Sequence, residues 1–147
     1  MEIRRHEATD TDSADVGAGV FTAMLEAFRE IGSPTPPTPT PEMFTAIWAA
    51  KMALVLGAWE NGLMVACRVT LISPHLFDAK RKVASTVALF VAPAVRGHGI
   101  AKRLMEAGDT VLREMGVESF TVPAAGSGIP SQSAGYRPTM TTWEKSL

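Results

Sequence analysis

The sequence VASTVALFVAPAVRGHGIAKRLMEAGDTVLREMGVESFTV, residues 83–122, decides the fold of this chain. Residues 83–91 are rich in apolar and β-branched side chains, which predicts a strand. Residues 100–115 place apolar side chains at helical spacing, which predicts an amphipathic helix. A further strand is predicted over residues 117–122. Because a strand, a helix and a second strand in this order form a βαβ unit, the two strands should be parallel neighbours.

The first half of the chain predicts the remaining sheet. The predicted elements are strands over residues 2–5, 52–59 and 63–72, a helix over residues 15–31 and a short helix that begins at Pro41. A tight hairpin turn at Asn61-Gly62 joins the two longer strands. The fold class is therefore α/β (α+β): a mixed, mostly antiparallel central sheet with one parallel strand pair, flanked by helices.

Three segments are predicted to lie outside this framework. Residues 33–41 read SPTPPTPTP, and five prolines favour a stiff extended path. This segment is either a loop between two helices or a docking strap at a binding site. Residues 73–81, with Pro74 and His75, predict a loop, and residues 139–145 predict a last strand.

Composition excludes several classes of protein. The chain has 147 residues, of which 46% are hydrophobic and 20% charged, so we expect a single domain over residues 1–147. No apolar stretch approaches the ~20 residues that span a bilayer. A single cysteine, Cys67, excludes an intrachain disulfide framework and a cysteine-based zinc site, and its place in a β run indicates a core residue. With three scattered histidines and a net charge of -1, we expect no metal and no nucleic-acid partner.

The glycine-rich segment Arg96-Gly97-His98-Gly99 carries the chemistry. Glycines leave backbone N–H groups unobstructed, and the following helix adds its own free N-terminal donors and the positive end of its dipole. Together these groups suit a phosphate or pyrophosphate. The Walker pattern is absent and the spacing of a dinucleotide fingerprint fails, so neither of those nucleotide sites is expected.

This segment resembles the GCN5-related N-acetyltransferase (GNAT) family. Arg96, Gly99 and Ala101 match the family's motif Gln/Arg-x-x-Gly-x-Gly/Ala, and residues 89–93 (LFVAP) look like the strand end that precedes it. Gly135-Tyr136 is similar to the family's late Gly-Phe pair. The resemblance implies a GNAT-like domain that takes acetyl-CoA as co-substrate.

The resemblance also implies which residues hold the coenzyme. The loop amides would bind the pyrophosphate, and the strand before the loop would splay from its parallel neighbour. One N–H group of that strand would polarise the thioester carbonyl. The implied coenzyme-binding residues are Leu89, Phe90, Val91, Arg96, Gly97, His98, Gly99, Ile100 and Ala101. The alternative is a glycine-rich turn without a ligand.

Catalytic groups are harder to assign. In the family a tyrosine often serves as the acid, and its usual position falls near Ser131 here. Tyr136, the only tyrosine, is either that acid or a core residue at the Gly-Phe position. Glu118 is a candidate base, and Ser119 and His75 are further ones; the alternatives are an exposed strand residue and a loop histidine.

Two classes of function remain open. The favoured one is an acyltransferase that moves an acetyl group from acetyl-CoA to a small-molecule amine or a protein amine. The other is a catalytically reduced subunit of a larger assembly, for example a phage particle. We expect a cytoplasmic protein without membrane contact, or a virion component in the second case, and a homo-oligomer is compatible with either.

Overall fold

The computed structural model describes residues 1–30, 32, 38, 40–122 and 135. The predicted last strand and most of the proline-rich segment lie outside these residues. The elements in chain order are β1 (Glu2–His6), α1 (Ser13–Glu30), α2 (Pro41–Ala49), β2 (Ala53–Glu60), β3 (Leu63–His75), β4 (Asp78–Val91), a 3-10 turn (Pro93–Val95), α3 (Ile100–Glu114) and β5 (Val117–Thr121).

The five strands form one sheet in the order β1-β2-β3-β4-β5. Neighbours are antiparallel except for β4 and β5, which are parallel. The predicted fold class and its parallel pair are therefore confirmed. The parallel pair follows from α3, which carries the chain from the end of β4 back to the start of β5.

Helices cover both faces of the sheet, so it has two apolar cores. On one face α1 and α2 pack against the strands around Val16, Val55 and Cys67. On the other face α3 packs through Leu104 and Leu112. Cys67 is the predicted core residue, and burial raises the pKa of its thiol to about 12, which keeps it protonated and unreactive.

The hairpin between β3 and β4 corrects the sequence prediction. Residues 73–81 are not a loop, because β3 continues to His75 and β4 begins at Asp78. Pro74 was the misleading signal. The N–H of Ile72 donates to Met52 O at 2.9 Å, on the side of β3 that faces β2. Since every second residue of a strand directs its N–H to the same side, position 74 faces that side too. It lies beyond Leu71, which pairs with Ala53, the first residue of β2. The missing N–H of Pro74 therefore lies on an unpaired edge, where proline is tolerated in a strand.

Candidate functional site

Strand β4 has two neighbouring strands over residues 82–85 and one over residues 87–91. Residues 82–85 pair with β5, which ends at Thr121 opposite Ser85. On its other side, β4 pairs with β3 as far as Val91. We call residues 82–85 the closed half of β4 and residues 87–91 its open half. Within the described residues, the open half has one free edge.

The ladder between β3 and β4 decides where the amides of the open half point. The N–H of Ala92 donates to Val65 O at 2.9 Å, so this pair is a hydrogen-bonded one. Because such pairs alternate along an antiparallel ladder, Phe90 also bonds to β3, whereas the N–H and C=O groups of Leu89 and Val91 point away from it. The free edge thus presents backbone donors at two positions, and the residue Leu89 is 37% exposed.

A β-bulge lies at the start of the open half. Val69 and Thr70 of β3 oppose Ala88 and Thr86 of β4, so Val87 is an extra residue. Bulges bend a strand and increase its local twist. This bulge follows directly after the last pair between β4 and β5. The bend therefore falls where the two parallel strands part.

The segment after β4 forms a turn that opens onto α3. The N–H of Arg96 donates to Pro93 O at 3.3 Å and closes the 3-10 turn. Gly97 and Gly99 have φ angles of +85° and +72°, which other residues adopt only with strain. Gly99 is the N-cap of α3 and supplies no side-chain cap, so the first amides of this helix remain available to a ligand. An anion is the ligand that these donors and the helix dipole favour.

The comparison with family models agrees with this geometry. The model described as "Acetyltransferase (GNAT) family" matches residues 21–130, most of the chain. The chain belongs to the GNAT acetyltransferase family. The predicted resemblance is thereby confirmed.

Solved structures share the fold of this GNAT chain at low sequence identity. An aminoglycoside acetyltransferase, HMB0005, from an uncultured soil metagenomic sample superposes with a TM-score of 0.74 at 18% identity, covering 99% of this chain and 97% of that one. A GCN5-related N-acetyltransferase from Ralstonia eutropha JMP134 has a TM-score of 0.73 at 20% identity over 98% and 97% of the two chains. A predicted acetyltransferase from Clostridium acetobutylicum, crystallised with acetyl-CoA, has a TM-score of 0.72 at 16% identity over 99% and 95%. A search of curated proteins gave no match.

Arg96, the arginine of the GNAT motif, forms hydrogen bonds to a backbone carbonyl and to a carboxylate of this chain. Arg96 Nε donates to Val91 O at 2.8 Å, and Nη2 donates to both carboxylate oxygens of Glu30 at 2.8 and 2.9 Å. Its guanidinium also lies 6.0 Å from the ring centroid of Phe90. The sequence identified Arg96 as a loop residue but missed Glu30, since a glutamate at the end of a helix carries no distinguishing signal.

The structure gives the predicted catalytic residues unequal settings. Tyr136 and Ser131 lie outside the described residues, so their roles stay predictions. Glu118 binds Arg81 Nε at 2.6 Å and lies beside the closed half of β4, about 20 Å along the strand from Leu89. The described geometry therefore does not bring Glu118 to the open half, and its role as a base also stays a prediction. His75 lies at the far hairpin end of the sheet.

A buried arginine is the main feature that the sequence prediction missed. Arg68 is fully buried on β3 and reaches α3, where Nη1 donates to Met105 O at 2.9 Å and lies 3.5 Å from Asp109 Oδ1. Its Nε donates to Thr70 Oγ1 at 3.1 Å, and its guanidinium lies over the ring of Phe120 on β5. A buried charge is tolerated only with such partners. Arg68 stands opposite Leu89 of the open half. Its side chain joins β3 to α3 and to Phe120, which pairs with Ala84 of the closed half.

Two residues of a type unusual for their positions were the available signal for this network. Arg68 interrupts the apolar run of β3, and Gly108 lies in the middle of α3, where glycine is unfavourable. A Cβ atom at Gly108 would overlap the guanidinium of Arg68. The glycine is therefore required by the close approach of the arginine side chain.

His6, Asp10 and Asp12 bring three possible metal ligands within 4.8 Å of one another. The indole N–H of Trp59 donates to His6 Nε2 at 3.0 Å. Because a neutral imidazole has one nitrogen lone pair, this bond leaves a proton on Nδ1 and no lone pair for a metal. Burial lowers the pKa of His6, although the carboxylates of Asp12 and Asp10 oppose this shift. The cluster therefore suits a neutral structural histidine.

Among the helices of the described residues, none combines the length and apolar character that crossing a membrane requires.

Proposed function

We propose that this chain is an acetyl-CoA-dependent N-acetyltransferase built as one GNAT domain over residues 1–147. The observation that carries the proposal is the pair of outward-facing N–H groups of Leu89 and Val91 on the open half of β4. They lie directly before the loop whose amides suit a pyrophosphate. An acetyl-CoA molecule, with an amide-bearing arm and a pyrophosphate, has hydrogen-bonding groups for both places.

The backbone would contribute to catalysis through electrostatics. When an amine attacks a thioester carbonyl, negative charge develops on the carbonyl oxygen, and the thiolate later leaves as the amide forms. An N–H of the free edge, at Leu89 or Val91, would donate to that oxygen. Such preorganised donors typically contribute about 10²–10³ in rate. The donor is fixed before the substrate arrives, because the ladder with β3 holds the strand.

The acceptor is proposed at the level of its reacting group, an amine of a small molecule or a protein. Two structural relatives are aminoglycoside acetyltransferases, one of them crystallised with sisomicin. Aminoglycosides are therefore the first acceptors to assay. Neither the described residues nor the comparisons support the alternative of a structural subunit in a larger assembly.

The proton-transfer groups are proposed from the sequence resemblance. Tyr136 is the first candidate for the acid, Ser131 occupies the position where the family often has a tyrosine, and Glu118 is a candidate base. Tyr136→Phe keeps the ring and removes the hydroxyl. A general acid at this position should lose about 10²–10⁴ in turnover with unchanged coenzyme affinity. Equal turnover in the variant would exclude Tyr136 as the acid.

Calorimetry with acetyl-CoA, followed by a thiol-release assay over an amine panel, tests the function. Gly99→Ala adds a methyl group at the anion site, and Gly116→Ala is its matched control at the other end of α3. Both glycines have φ angles above +70°, and an added Cβ meets no atom within 4 Å at either, so the backbone strain is similar. We expect Gly99→Ala alone to weaken acetyl-CoA binding, by about tenfold, the equivalent of ~1.4 kcal/mol. Equal binding by both variants would place the coenzyme elsewhere.

A further inference from the structure

The side chain of Arg96 connects three parts of the molecule that are separate in sequence. It belongs to the glycine-rich loop, it bonds to the last carbonyl of β4, and it bonds to Glu30, the last residue of α1. We propose that Glu30 is a positioning residue for coenzyme binding. Through Arg96 it fixes the loop of residues 96–101 relative to the free edge of β4. This inference rests on the proposed function, since it concerns the same site.

The geometry of the guanidinium explains why Glu30 controls the loop. Arginine presents its donors in a planar fork, so a carboxylate that binds one nitrogen through both oxygens also restricts the orientation of the others. With Glu30 in place, Arg96 Nε is directed at Val91 O. Without Glu30, Arg96 loses two of the three side-chain bonds described above and gains freedom to rotate. The link between the loop and the strand end then weakens.

The same contact decides how the loop attracts an anion. Glu30 balances the charge of Arg96, so the pair adds little net charge near the loop. Attraction of a pyrophosphate then depends on the backbone amides and on the α3 dipole, whose strength requires a fixed loop geometry. Removal of Glu30 has two opposite effects: a freed cation favours an anion, and a loosened loop disfavours it. Both side chains are more than 40% exposed, so solvent screens the charge effect. The positional effect should therefore dominate.

Three variants separate position from charge. Glu30→Ala removes both the bonds and the charge, whereas Glu30→Gln removes the charge and keeps an oxygen that accepts from Arg96. Glu26→Ala is the matched control, because it removes the same charge one turn earlier in α1 and forms no hydrogen bond or ion pair among the described residues. We expect acetyl-CoA affinity to fall about 3–10-fold in Glu30→Ala, less in Glu30→Gln, and to stay unchanged in Glu26→Ala.

The experiment combines calorimetry with acetyl-CoA, steady-state kinetics and amide hydrogen exchange of the loop without coenzyme. Positioning predicts that the N–H groups of Arg96 and Arg103, which donate to Pro93 O and Gly99 O, exchange faster in Glu30→Ala. It also predicts a higher KM for acetyl-CoA and an unchanged kcat. Glu30→Gln should restore part of each change. Unchanged or tighter binding by Glu30→Ala would overturn the inference.

The two proposals fail in different ways. If the parent protein bound no acetyl-CoA, the proposed function would be wrong, and the exchange measurement alone would then judge the role of Glu30. Equal exchange of the Arg96 and Arg103 amides in the parent and in Glu30→Ala would show that Glu30 does not position the loop. Faster exchange of these amides in Glu30→Ala, with no change in Glu26→Ala, would support positioning independently of the ligand.

Discussion

The closed and open halves of β4 differ although they belong to one strand. The closed half hydrogen-bonds on both sides, to β3 and β5, and the guanidinium of Arg68 lies over Phe120, the β5 partner of Ala84. Among the described residues, the open half pairs with β3 alone; it begins with a bulge at Val87 and leads into the glycine-rich loop. One half therefore uses its backbone groups for stability, and the other leaves them for a ligand.

A sheet can thus carry a binding site made of backbone groups, without a dedicated side chain. Backbone donors are normally satisfied in a sheet, and an unpaired buried one is costly. At the open half, where β5 has ended and the bulge bends β4, the N–H groups of Leu89 and Val91 have no partner among the described residues and can bind a ligand. Beside the closed half, the guanidinium of Arg68 contacts Phe120 of β5.

The largest expected effect tests the contact between Arg68 and α3, which lies under both halves of β4. In Gly108→Ala the added methyl group overlaps the Arg68 guanidinium, so we expect a loss of about 1–3 kcal/mol in the free energy of unfolding, measured with urea. Gly17→Ala in α1 is the control, because its added Cβ meets no atom within 4 Å. The control should gain up to about 1 kcal/mol from helix propensity. Equal stabilisation by both substitutions would refute the close approach of Arg68 to α3.

A smaller effect tests the hydroxyl pair under the bulge. Thr70 Oγ1 accepts from Arg68 Nε and lies 3.2 Å from Thr86 Oγ1, so the two buried hydroxyls are hydrogen-bonded to each other. Thr86→Val removes the hydroxyl partner of Thr70 in the core and should cost about 1–2 kcal/mol in the free energy of unfolding. The same substitution at Thr121 removes an exposed bond to Ser85 and should cost less than about 0.5 kcal/mol. Similar losses for both variants would contradict a stabilising role of the buried hydroxyl pair.

The smallest expected effect concerns the dependence of the free energy of unfolding on pH. The pKa of His6 is lowered in the folded state, chiefly by burial, so the unfolded chain binds the proton more tightly. Stability is therefore fully present above the unfolded pKa of about 6.5 and is lost as the pH falls through the folded value. The urea midpoint should decrease from pH 7.5 to pH 5, and His6→Gln should flatten this profile. An equally steep profile in His6→Gln would assign the loss to other groups.

The elements were largely predictable from the sequence, because apolar periodicity and turn residues act locally. Residues 83–122 predicted the parallel pair of β4 and β5 in this way, and Asn61-Gly62 predicted the hairpin between β2 and β3. The hairpin of residues 73–81 was missed because the effect of Pro74 depends on whether a neighbouring strand lies on its N–H side. That is a tertiary property, and no local pattern contains it.

The candidate site was predictable only in its backbone. The motif of Arg96, Gly99 and Ala101 indicated the loop, and the structure adds the direction of the Leu89 and Val91 amides. The partners of Arg96 and Arg68 come from elements that are distant in sequence, at Glu30 and Met105. Single-residue patterns do not specify such pairings, so both arginines were understood only from the folded chain.

Residue-resolved amide hydrogen exchange, with and without acetyl-CoA, tests most directly the claim that the open half of β4 receives the coenzyme. Without acetyl-CoA, the amide of Phe90 should exchange slowly because it bonds to β3, and those of Leu89 and Val91 should exchange fast. Saturating acetyl-CoA should slow Leu89, Val91 and the loop amides of residues 97–101, and leave Phe90 unchanged. Slow exchange of Leu89 and Val91 before addition, or fast exchange after it, would contradict the account.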